Sequence, residues 1–245
     1  MPANKKSFDS ILIMQIAIIL AAGNSQRMRS FSGHQINKIF YPIFGRPLIY
    51  YTILPFEKSK KIQKIIIVTK EEYFSKFLSL ISKYRFKKIV ALVKGGKERQ
   101  ISAFLGLNFL EKVGAQKGDL VLFHNGANPL VTKNEIEEII AAGKKYKCAL
   151  LAQMAKDTIK KVSKEGFVLK TLNRKEIFLA QTPQVIEYEL AKKAFEKAKR
   201  DKFLGTDDVS LVERLGFKPK VLITSFKNIK VTYPEDLKVV KSFLR

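Results

Sequence analysis

In IAIILAAGNSQRM, residues 16–28, an apolar run passes directly into a loop of small and polar residues, and this pattern is the clearest indication of the fold class. The apolar half is typical of a buried strand. The small residues Ala21, Ala22 and Gly23 let backbone N–H groups approach a phosphate, and Arg27 adds a fixed cation. The loop matches neither GxGxxG nor a Walker loop, so an ordinary turn explains it equally well.

Similar apolar runs recur along the chain and alternate with amphipathic stretches. The predicted strands are residues 16–20, 64–69, 88–93, 120–124, 149–155, 220–224 and 228–231. The predicted helices are residues 48–58, 71–83, 97–111, 133–145, 186–199, 207–215 and 234–244. This alternation predicts an α/β fold with a mostly parallel sheet and helices on both faces.

Two segments depart from the alternation. Residues 157–178 contain two β-rich runs joined at Glu165 and Gly166, which predicts a β-arm projecting from the sheet. Residues 1–13 fit no element, and Met14 directly precedes the first strand, so we expect a disordered extension or a misassigned start. Residues 14–245 are predicted to form a single domain.

The formal net charge of +24 suggests nucleic acid first and small polyanionic substrates second. The excess is mostly lysine, however, and it is spread along the whole chain rather than gathered in a basic tail. Such a distribution is typical of solvated helix faces. We therefore predict no specific nucleic-acid partner.

Cysteine content and hydropathy bear on location. A single cysteine, Cys148, excludes an intramolecular disulfide framework and fits a reducing compartment. The longest apolar run, residues 11–22, is interrupted by Gln15 and is too short to span a bilayer. The sequence thus predicts a cytoplasmic protein without a membrane partner.

Further motifs follow the first loop in a fixed order. They are Asn37-Lys38, PIFGRPL at 42–48, GGKERQIS at 95–102, HNGANP at 124–129, QTPQ at 181–184, TDD at 206–208 and NIKVT at 228–232. In order and spacing the whole set resembles the cytidylyltransferases that act on 2-C-methyl-D-erythritol 4-phosphate, in the non-mevalonate isoprenoid pathway. The resemblance runs from about residue 16 to the C-terminus. Ribitol-5-phosphate cytidylyltransferases share most of these motifs and are the alternative.

The resemblance implies a Rossmann-like nucleotidyltransferase fold and a role for each matching residue. The implied catalytic cations are Arg27, Lys38 and Lys230. The implied nucleotide-binding residues are Ala21, Ala22, Gly23, Gly95, Gly96 and Ser102. The implied acceptor pocket contains Asn125, Asn128, Thr182 and Thr206, and Thr158 and Arg174 on the arm are implied to reach the partner's substrate in a homodimer. Each lysine or arginine also has a plainer explanation as a surface cation.

The implied reaction transfers CMP from CTP to a polyol phosphate with release of pyrophosphate. The nucleophile is a phosphate oxygen that is already an anion, so no general base is required. Catalysis then consists of positioning and of neutralising charge on the α-phosphoryl oxygens and the leaving group. Cations, loops rich in N–H groups and Mg²⁺ meet that need.

The HNGANP motif departs from the family pattern, which is usually His-Asp-Ala-Ala-Arg-Pro. Asn125 replaces the aspartate and Asn128 replaces the arginine. Mg²⁺ prefers charged oxygen ligands, so Asn125 is a weak candidate ligand and the metal is expected to be held mainly by the CTP phosphates. The local charge sum is unchanged, which suggests that the two side chains face one another or a shared ligand.

Three explanations of this departure remain open. The acceptor preference differs from that of the family, the chain is a catalytically impaired paralogue that still binds nucleotide, or Asn125 deamidates before Gly126 and regains a carboxylate. We expect the first, because the residues implied for the nucleotide are all retained. On the sequence alone, Asn125→Asp is expected to raise turnover.

Overall fold

The computed structural model describes residues 13–25 and 37–245, and most of its strands belong to one sheet. The strands are β1 (Gln15–Leu20), β2 (Pro42–Ile43), β3 (Arg46–Pro47), β4 (Lys64–Thr69), β5 (Ile89–Lys94), β6 (Leu120–Asn125), β7 (Cys148–Met154), β8 (Lys160–Val162), β9 (Val168–Thr171), β10 (Phe178–Glu187) and β11 (Lys220–Ile223). The helices are α1 (Leu48–Lys58), α2 (Phe74–Tyr84), α3 (Arg99–Phe109), α4 (Lys133–Tyr146), α5 (Tyr188–Arg200), α6 (Val209–Glu213) and α7 (Pro234–Phe243). Short 3-10 helices cover Lys38–Phe40, Glu71–Tyr73, Leu110–Val113 and Arg174–Glu176.

The main sheet has seven strands in the order β11-β7-β10-β6-β1-β4-β5. Every neighbouring pair is parallel except those of β10, which runs antiparallel to both β6 and β7. The predicted, mostly parallel α/β sheet is therefore confirmed. Since parallel strands end at one edge of a sheet, the loops after β1, β4, β5 and β6 converge there.

Apolar side chains fill both sides of the sheet. Ile16 and Ile18 of β1 pack on one side with residues of α3, α5 and α6. Ala17 and Ile19 point to the other side, where residues of α1, α2 and α4 pack. Because both faces are covered, the strand reads as a continuous apolar run rather than an alternating one. This double burial fixes β1 and the loop that follows it.

Strand β10 is missing from the sequence prediction, which began a helix at Ile186. Its register with β7 shifts between Ala180 and Gln184, and Pro183 lies in that interval. Proline lacks an N–H donor and normally argues against a central strand. The irregular stretch hid the strand, and the helix begins at Tyr188 instead.

The predicted strand at residues 228–231 is wrong. The segment makes a backbone bond from Val231 N to Ala127 O at 2.8 Å, but it forms no ladder. The side chain of Asn228 instead donates to Thr182 O at 2.8 Å. The helix predicted at residues 207–215 is shorter in the structure, where α6 covers Val209–Glu213.

The β-arm is present as predicted. Strands β8 and β9 pair antiparallel, and Gly166 turns between them with φ at +92°. All residues of both strands are exposed. The prediction for residues 1–13 falls outside the described residues except at Ile13. Within the described ranges, we find no helix with the length and apolar character needed to cross a membrane.

Candidate active site

A cavity of about 330 Å³ lies at the edge of the sheet where the parallel strands end. It is lined by residues 20–25, Asn37, Lys38, Ile39, residues 96–99, Ser102, Asn125, Ala127, Lys230 and Thr232. The loops after β1, β5 and β6 thus meet the segment that precedes α7. Five of the six predicted nucleotide-binding residues line the cavity, and the sixth, Gly95, lies directly before Gly96.

The loop after β1 is held by Asn37. The side chain of Asn37 accepts from Ser25 Oγ at 2.9 Å and donates to Gly23 O at 3.0 Å. Asn37 is buried, and the backbone N–H of Lys38 donates to Ser25 Oγ at 3.2 Å. The Asn37-Lys38 motif therefore shapes the small-residue loop and places Lys38 at its side.

Gly95 is required by close packing. A Cβ on Gly95 would lie 2.4 Å from the Cβ of Ala22. Only glycine permits this approach between the β5 and β1 loops. Gly96 N then donates to Ser102 Oγ at 3.1 Å, which fixes the turn into α3. Ser102 is buried, so it shapes the cavity wall from beneath.

Two of the three predicted catalytic cations line this cavity. Lys38 Nζ donates to Val231 O at 2.7 Å, which ties it to the segment that carries Lys230. Val231 N in turn bonds Ala127 O, so this segment is anchored to the β6 loop. Arg27 lies outside the described residues. The structure therefore brings Lys38 and Lys230 together on one cavity.

A second cavity, of about 350 Å³, adjoins the first. It contains all four residues predicted for the acceptor pocket: Asn125, Asn128, Thr182 and Thr206. Arg99, Asn125 and Lys230 line both cavities and form the boundary between them. The site can therefore hold two ligands side by side and in contact.

The two arm residues lie apart from both cavities. Thr158 is exposed, and Arg174 donates from Nη1 to Lys156 O at 2.8 Å on the exposed side of the arm. Neither residue lines either cavity. Their action on the partner's substrate in a homodimer stays a prediction.

The HNGANP motif forms a buried network. Asn125 Nδ2 lies 3.3 Å from Asn128 Oδ1 and 3.4 Å from Thr182 Oγ1. The imidazole of His124 bonds Asn128 O through Nε2 and Thr182 Oγ1 through Nδ1, both at 3.0 Å. Burial lowers the pKa of His124 to about 3, so the ring is neutral. His124 thus fixes its neighbours rather than transferring protons.

Arg99 is the residue that sequence reasoning missed. Its Nη1 and Nη2 donate to the two carboxylate oxygens of Asp208 at 2.9 and 2.6 Å. Its Nε donates to Asn125 Oδ1 at 3.0 Å. The signal was its place at the start of α3 after the glycine pair, but its partner Asp208 lies 109 positions along the chain.

The chain is similar in sequence to two cytidylyltransferases along nearly its whole length. A 2-C-methyl-D-erythritol 4-phosphate cytidylyltransferase from Caldanaerobacter subterraneus subsp. tengcongensis is 43% identical over 232 residues, covering 94% of this chain and 98% of that protein. One from Bacillus mycoides is 42% identical over 231 residues, covering 94% and 98%.

Solved structures of such enzymes have a similar fold. The 4-diphosphocytidyl-2C-methyl-D-erythritol synthase of Anaerococcus prevotii superposes with a TM-score of 0.80 at 28% identity, covering 95% of this chain and 98% of that one. The Francisella tularensis 2-C-methyl-D-erythritol 4-phosphate cytidylyltransferase gives 0.78 at 29% identity, covering 94% and 99%. The IspD family, described as 2-C-methyl-D-erythritol 4-phosphate cytidylyltransferase, matches residues 15–245. The chain belongs to this cytidylyltransferase family.

Proposed function

We propose that this protein transfers CMP from CTP to 2-C-methyl-D-erythritol 4-phosphate, giving the CDP-polyol and pyrophosphate. The observation that carries the proposal is the pair of adjoining cavities with Arg99, Asn125 and Lys230 at their boundary. A transfer between two bound phosphates needs such a shared wall, because the attacking oxygen and the α-phosphorus must approach in line. Family membership supports both substrates.

The triphosphate is proposed to lie in the first cavity. Ala21, Ala22 and Gly23 provide a loop without large side chains, so backbone N–H groups approach the phosphates. Lys38 and Lys230 neutralise charge on the α-phosphoryl group and on the leaving pyrophosphate. Arg27, from the same loop, is proposed to contribute a third cation. Gly95, Gly96 and Ser102 shape the wall for the cytosine and ribose.

The reaction needs no proton acceptor from the protein. An anionic phosphate oxygen of the acceptor forms a bond to the α-phosphorus of CTP. The bond from that phosphorus to the bridging oxygen breaks, and pyrophosphate leaves with the electron pair. The low pKa of His124 agrees with this scheme, because the buried imidazole stays neutral and serves Thr182 and Asn128.

The described residues do not fit a resident Mg²⁺ ion. They contain no group of three or more His, Cys, Asp or Glu side chains placed to hold a metal. Among the described lining residues of the first cavity the sole carboxylate is Glu98. The amide oxygen of Asn125 accepts from the guanidinium of Arg99, which opposes a cation there. We therefore propose that Asn125 is not a metal ligand and that Mg²⁺ enters bound to the CTP phosphates.

A homodimer through the β-arm is also proposed. The arm exposes Phe167, Val168 and Leu169 at 73%, 61% and 61%, and contiguous exposed apolar side chains mark interaction surfaces. Phe167→Glu is expected to shift the protein to monomer in sedimentation velocity. Leu78→Glu, at an apolar residue of α2 that is 59% exposed, is the control. An unchanged sedimentation coefficient for Phe167→Glu contradicts this assembly. The cytoplasmic location stays a prediction.

Ribitol 5-phosphate is the second candidate acceptor, because Asn125 and Asn128 alter the acceptor cavity. Pyrophosphate release from CTP should be measured with methylerythritol phosphate and with ribitol phosphate at equal concentration. We expect the higher kcat/KM with methylerythritol phosphate. A higher value with ribitol phosphate reassigns the acceptor, whereas CTP binding without release from either identifies an impaired paralogue.

A further inference from the structure

The amide of Asn125 has one orientation, and Arg99 sets it. A guanidinium carries only donors and stays charged. The atom of Asn125 that lies 3.0 Å from Arg99 Nε must therefore be the carbonyl oxygen. The amide nitrogen faces the opposite way, toward Thr182 and Asn128. Those two residues line only the acceptor cavity, so the N–H groups of Asn125 point to the acceptor side.

The guanidinium of Arg99 is held in place by Asp208. Both oxygens of Asp208 accept from it, and Asp208 is 1% exposed. The side chain of Gln184 accepts from Asp208 N at 3.0 Å and donates to Asp207 Oδ2 at 2.8 Å. A bidentate, buried arginine–carboxylate pair resists rearrangement because breaking it strands a charge. The guanidinium is therefore a fixed donor rather than a mobile cation.

The donor direction continues through the network. The carbonyl oxygen of Asn128 only accepts, so the neutral His124 carries its proton on Nε2 and donates to it. His124 Nδ1 then accepts from the hydroxyl of Thr182, and Thr182 Oγ1 accepts from Asn125 Nδ2. Each member accepts on one side and donates on the other. Reversing the amide of Asn125 would place an N–H group against Arg99 and leave Thr182 facing a carbonyl oxygen.

We propose that Arg99 is a positioning residue that turns the Asn125 amide so that it donates a hydrogen bond to the phosphate of the acceptor substrate. The proposal rests on the function proposed above. A phosphate monoester offers only acceptors at neutral pH and gains most from charge-assisted hydrogen bonds. The present contacts of Asn125 Nδ2, at 3.3 and 3.4 Å, are long and exchange readily for a phosphate oxygen.

This arrangement reverses the sequence-based expectation for Asn125→Asp. The new carboxylate would still accept from Arg99, but its second oxygen would face the acceptor phosphate instead of an N–H group. Two anions would then meet, and only a divalent cation between them would relieve the repulsion. Asn125→Asp is therefore expected to weaken acceptor binding and to make that binding depend on free Mg²⁺.

The test measures the dissociation constant of methylerythritol phosphate by calorimetry with a nonhydrolysable CTP analogue bound, at low and high free Mg²⁺. Asn125→Asp is expected to raise this constant by about 10- to 100-fold at low Mg²⁺. At high Mg²⁺ the difference in dissociation constant between variant and parent is expected to be smaller. Far-UV circular dichroism of Asn125→Asp should match that of the parent, which shows that the variant is folded.

Arg99→Lys keeps the charge but removes the Nε donor, and it is expected to raise the same constant by about tenfold. Arg214→Lys is the matched control, because Arg214 forms a surface pair with Asp201 at 2.7 Å and lines neither cavity. Equal acceptor affinity in parent, Asn125→Asp and Arg99→Lys overturns the proposal, as does tighter binding by Asn125→Asp at low Mg²⁺. A parent that binds no phosphate monoester overturns it too.

The two proposals fail in different readouts. Turnover by the parent, read as pyrophosphate release, tests the proposed function. The ratio of acceptor affinities between parent and variants tests the role of Arg99 and Asn125. A parent that turns over while the ratios stay near one rejects only the positioning role. A parent that binds acceptor without turnover rejects only the proposed function.

Discussion

Asn125 Nδ2 lies 3.3 Å from Asn128 Oδ1, so the two residues that depart from the family pattern contact one another. Asn128 is 2% exposed, and its amide also donates to Asn228 Oδ1 at 3.4 Å. A lone positive charge at position 128 would face the amides of Asn125 and Asn228. The contact gives the paired departure from the family pattern a structural basis, as the unchanged charge sum suggested.

The contact predicts energetic coupling between positions 125 and 128. Asn128→Arg places an unpaired cation in a buried amide cluster and is expected to lower the free energy of unfolding by about 3 kcal/mol. Adding Asn125→Asp gives that cation a partner, so the double variant should recover about 1–3 kcal/mol relative to the sum of the single changes. Urea unfolding of the four proteins measures this coupling. Additivity within about 0.5 kcal/mol would show that the positions are independent.

Alanine substitutions at Gly95, beside the first cavity, and at Gly23, in its lining, are predicted to have different effects. Gly95→Ala forces a methyl group to 2.4 Å from Ala22 Cβ, so it should displace the β1 loop, lower stability by about 1–3 kcal/mol and weaken CTP binding. A Cβ on Gly23 meets no described atom within 4 Å, and Gly23 lines the cavity. Gly23→Ala should therefore keep stability within about 1 kcal/mol and weaken CTP binding alone.

Thermal unfolding and CTP titration separate the two glycine variants. Unimpaired CTP binding by Gly23→Ala would place the triphosphate away from the β1 loop. A fully stable Gly95→Ala would show that the β1 and β5 loops are free to move apart.

The free energy of unfolding is predicted to decrease as the pH is lowered, because His124 is buried in its neutral form. The pKa of His124 in the folded protein is about 3, below the ordinary value of 6.5. Below pH 6.5 the unfolded chain therefore binds a proton at His124 that the folded protein does not bind. Stability from this group is complete above 6.5 and is lost as the pH falls toward 3. Between pH 7 and pH 5 the loss is about 2 kcal/mol.

Urea midpoints at pH 7 and pH 5 measure the effect of His124. His124→Asn retains an acceptor for Thr182 but has no titrating ring, so it should remove most of this pH dependence even though it is less stable at pH 7. If the urea midpoint changes equally with pH in parent and variant, groups other than His124 cause the loss of stability.

Lys38 and Lys230 are predicted to act on the transition state. Replacing either with Met removes a charge beside the α-phosphoryl group and should lower kcat by about 10²- to 10³-fold. Lys38→Met should also raise the KM for CTP, because Lys38 Nζ anchors Val231 and thus the segment that carries Lys230. Lys144→Met, on the exposed end of α4, is the charge-matched control. Steady-state kinetics with CTP and methylerythritol phosphate provide the readout.

Strand and helix positions followed from the sequence where one apolar period dominates. The strand Lys64–Thr69 and the helix Leu48–Lys58 were predicted with their observed bounds. Strand β10 was not, because Pro183 and a register shift interrupt its pattern. Residues 228–231 have strand-like composition, but their backbone lies against Ala127 and the side chain of Asn228 bonds Thr182. That choice depends on tertiary contacts.

The candidate site was also predictable only in part from the sequence. The family resemblance implied most of the predicted site residues that line the two cavities, and loops at one edge of the sheet bring them together. Thr158 and Arg174 line neither cavity. The resemblance gave no sign that Arg99 pairs with Asp208 or that Arg99 orients Asn125, since those contacts join segments far apart in sequence. The paired change at Asn125 and Asn128 was readable as a charge balance, and the distance between them supplies its structural basis.

The most direct test of the two-cavity assignment is phosphorus NMR of a reaction containing the protein, CTP, Mg²⁺ and 2-C-methyl-D-erythritol 4-phosphate. The assignment predicts the resonances of a new diphosphate bridge between CMP and the polyol, in step with one equivalent of pyrophosphate. CTP that stays intact, or that is hydrolysed to CMP without a bridged product, would contradict it.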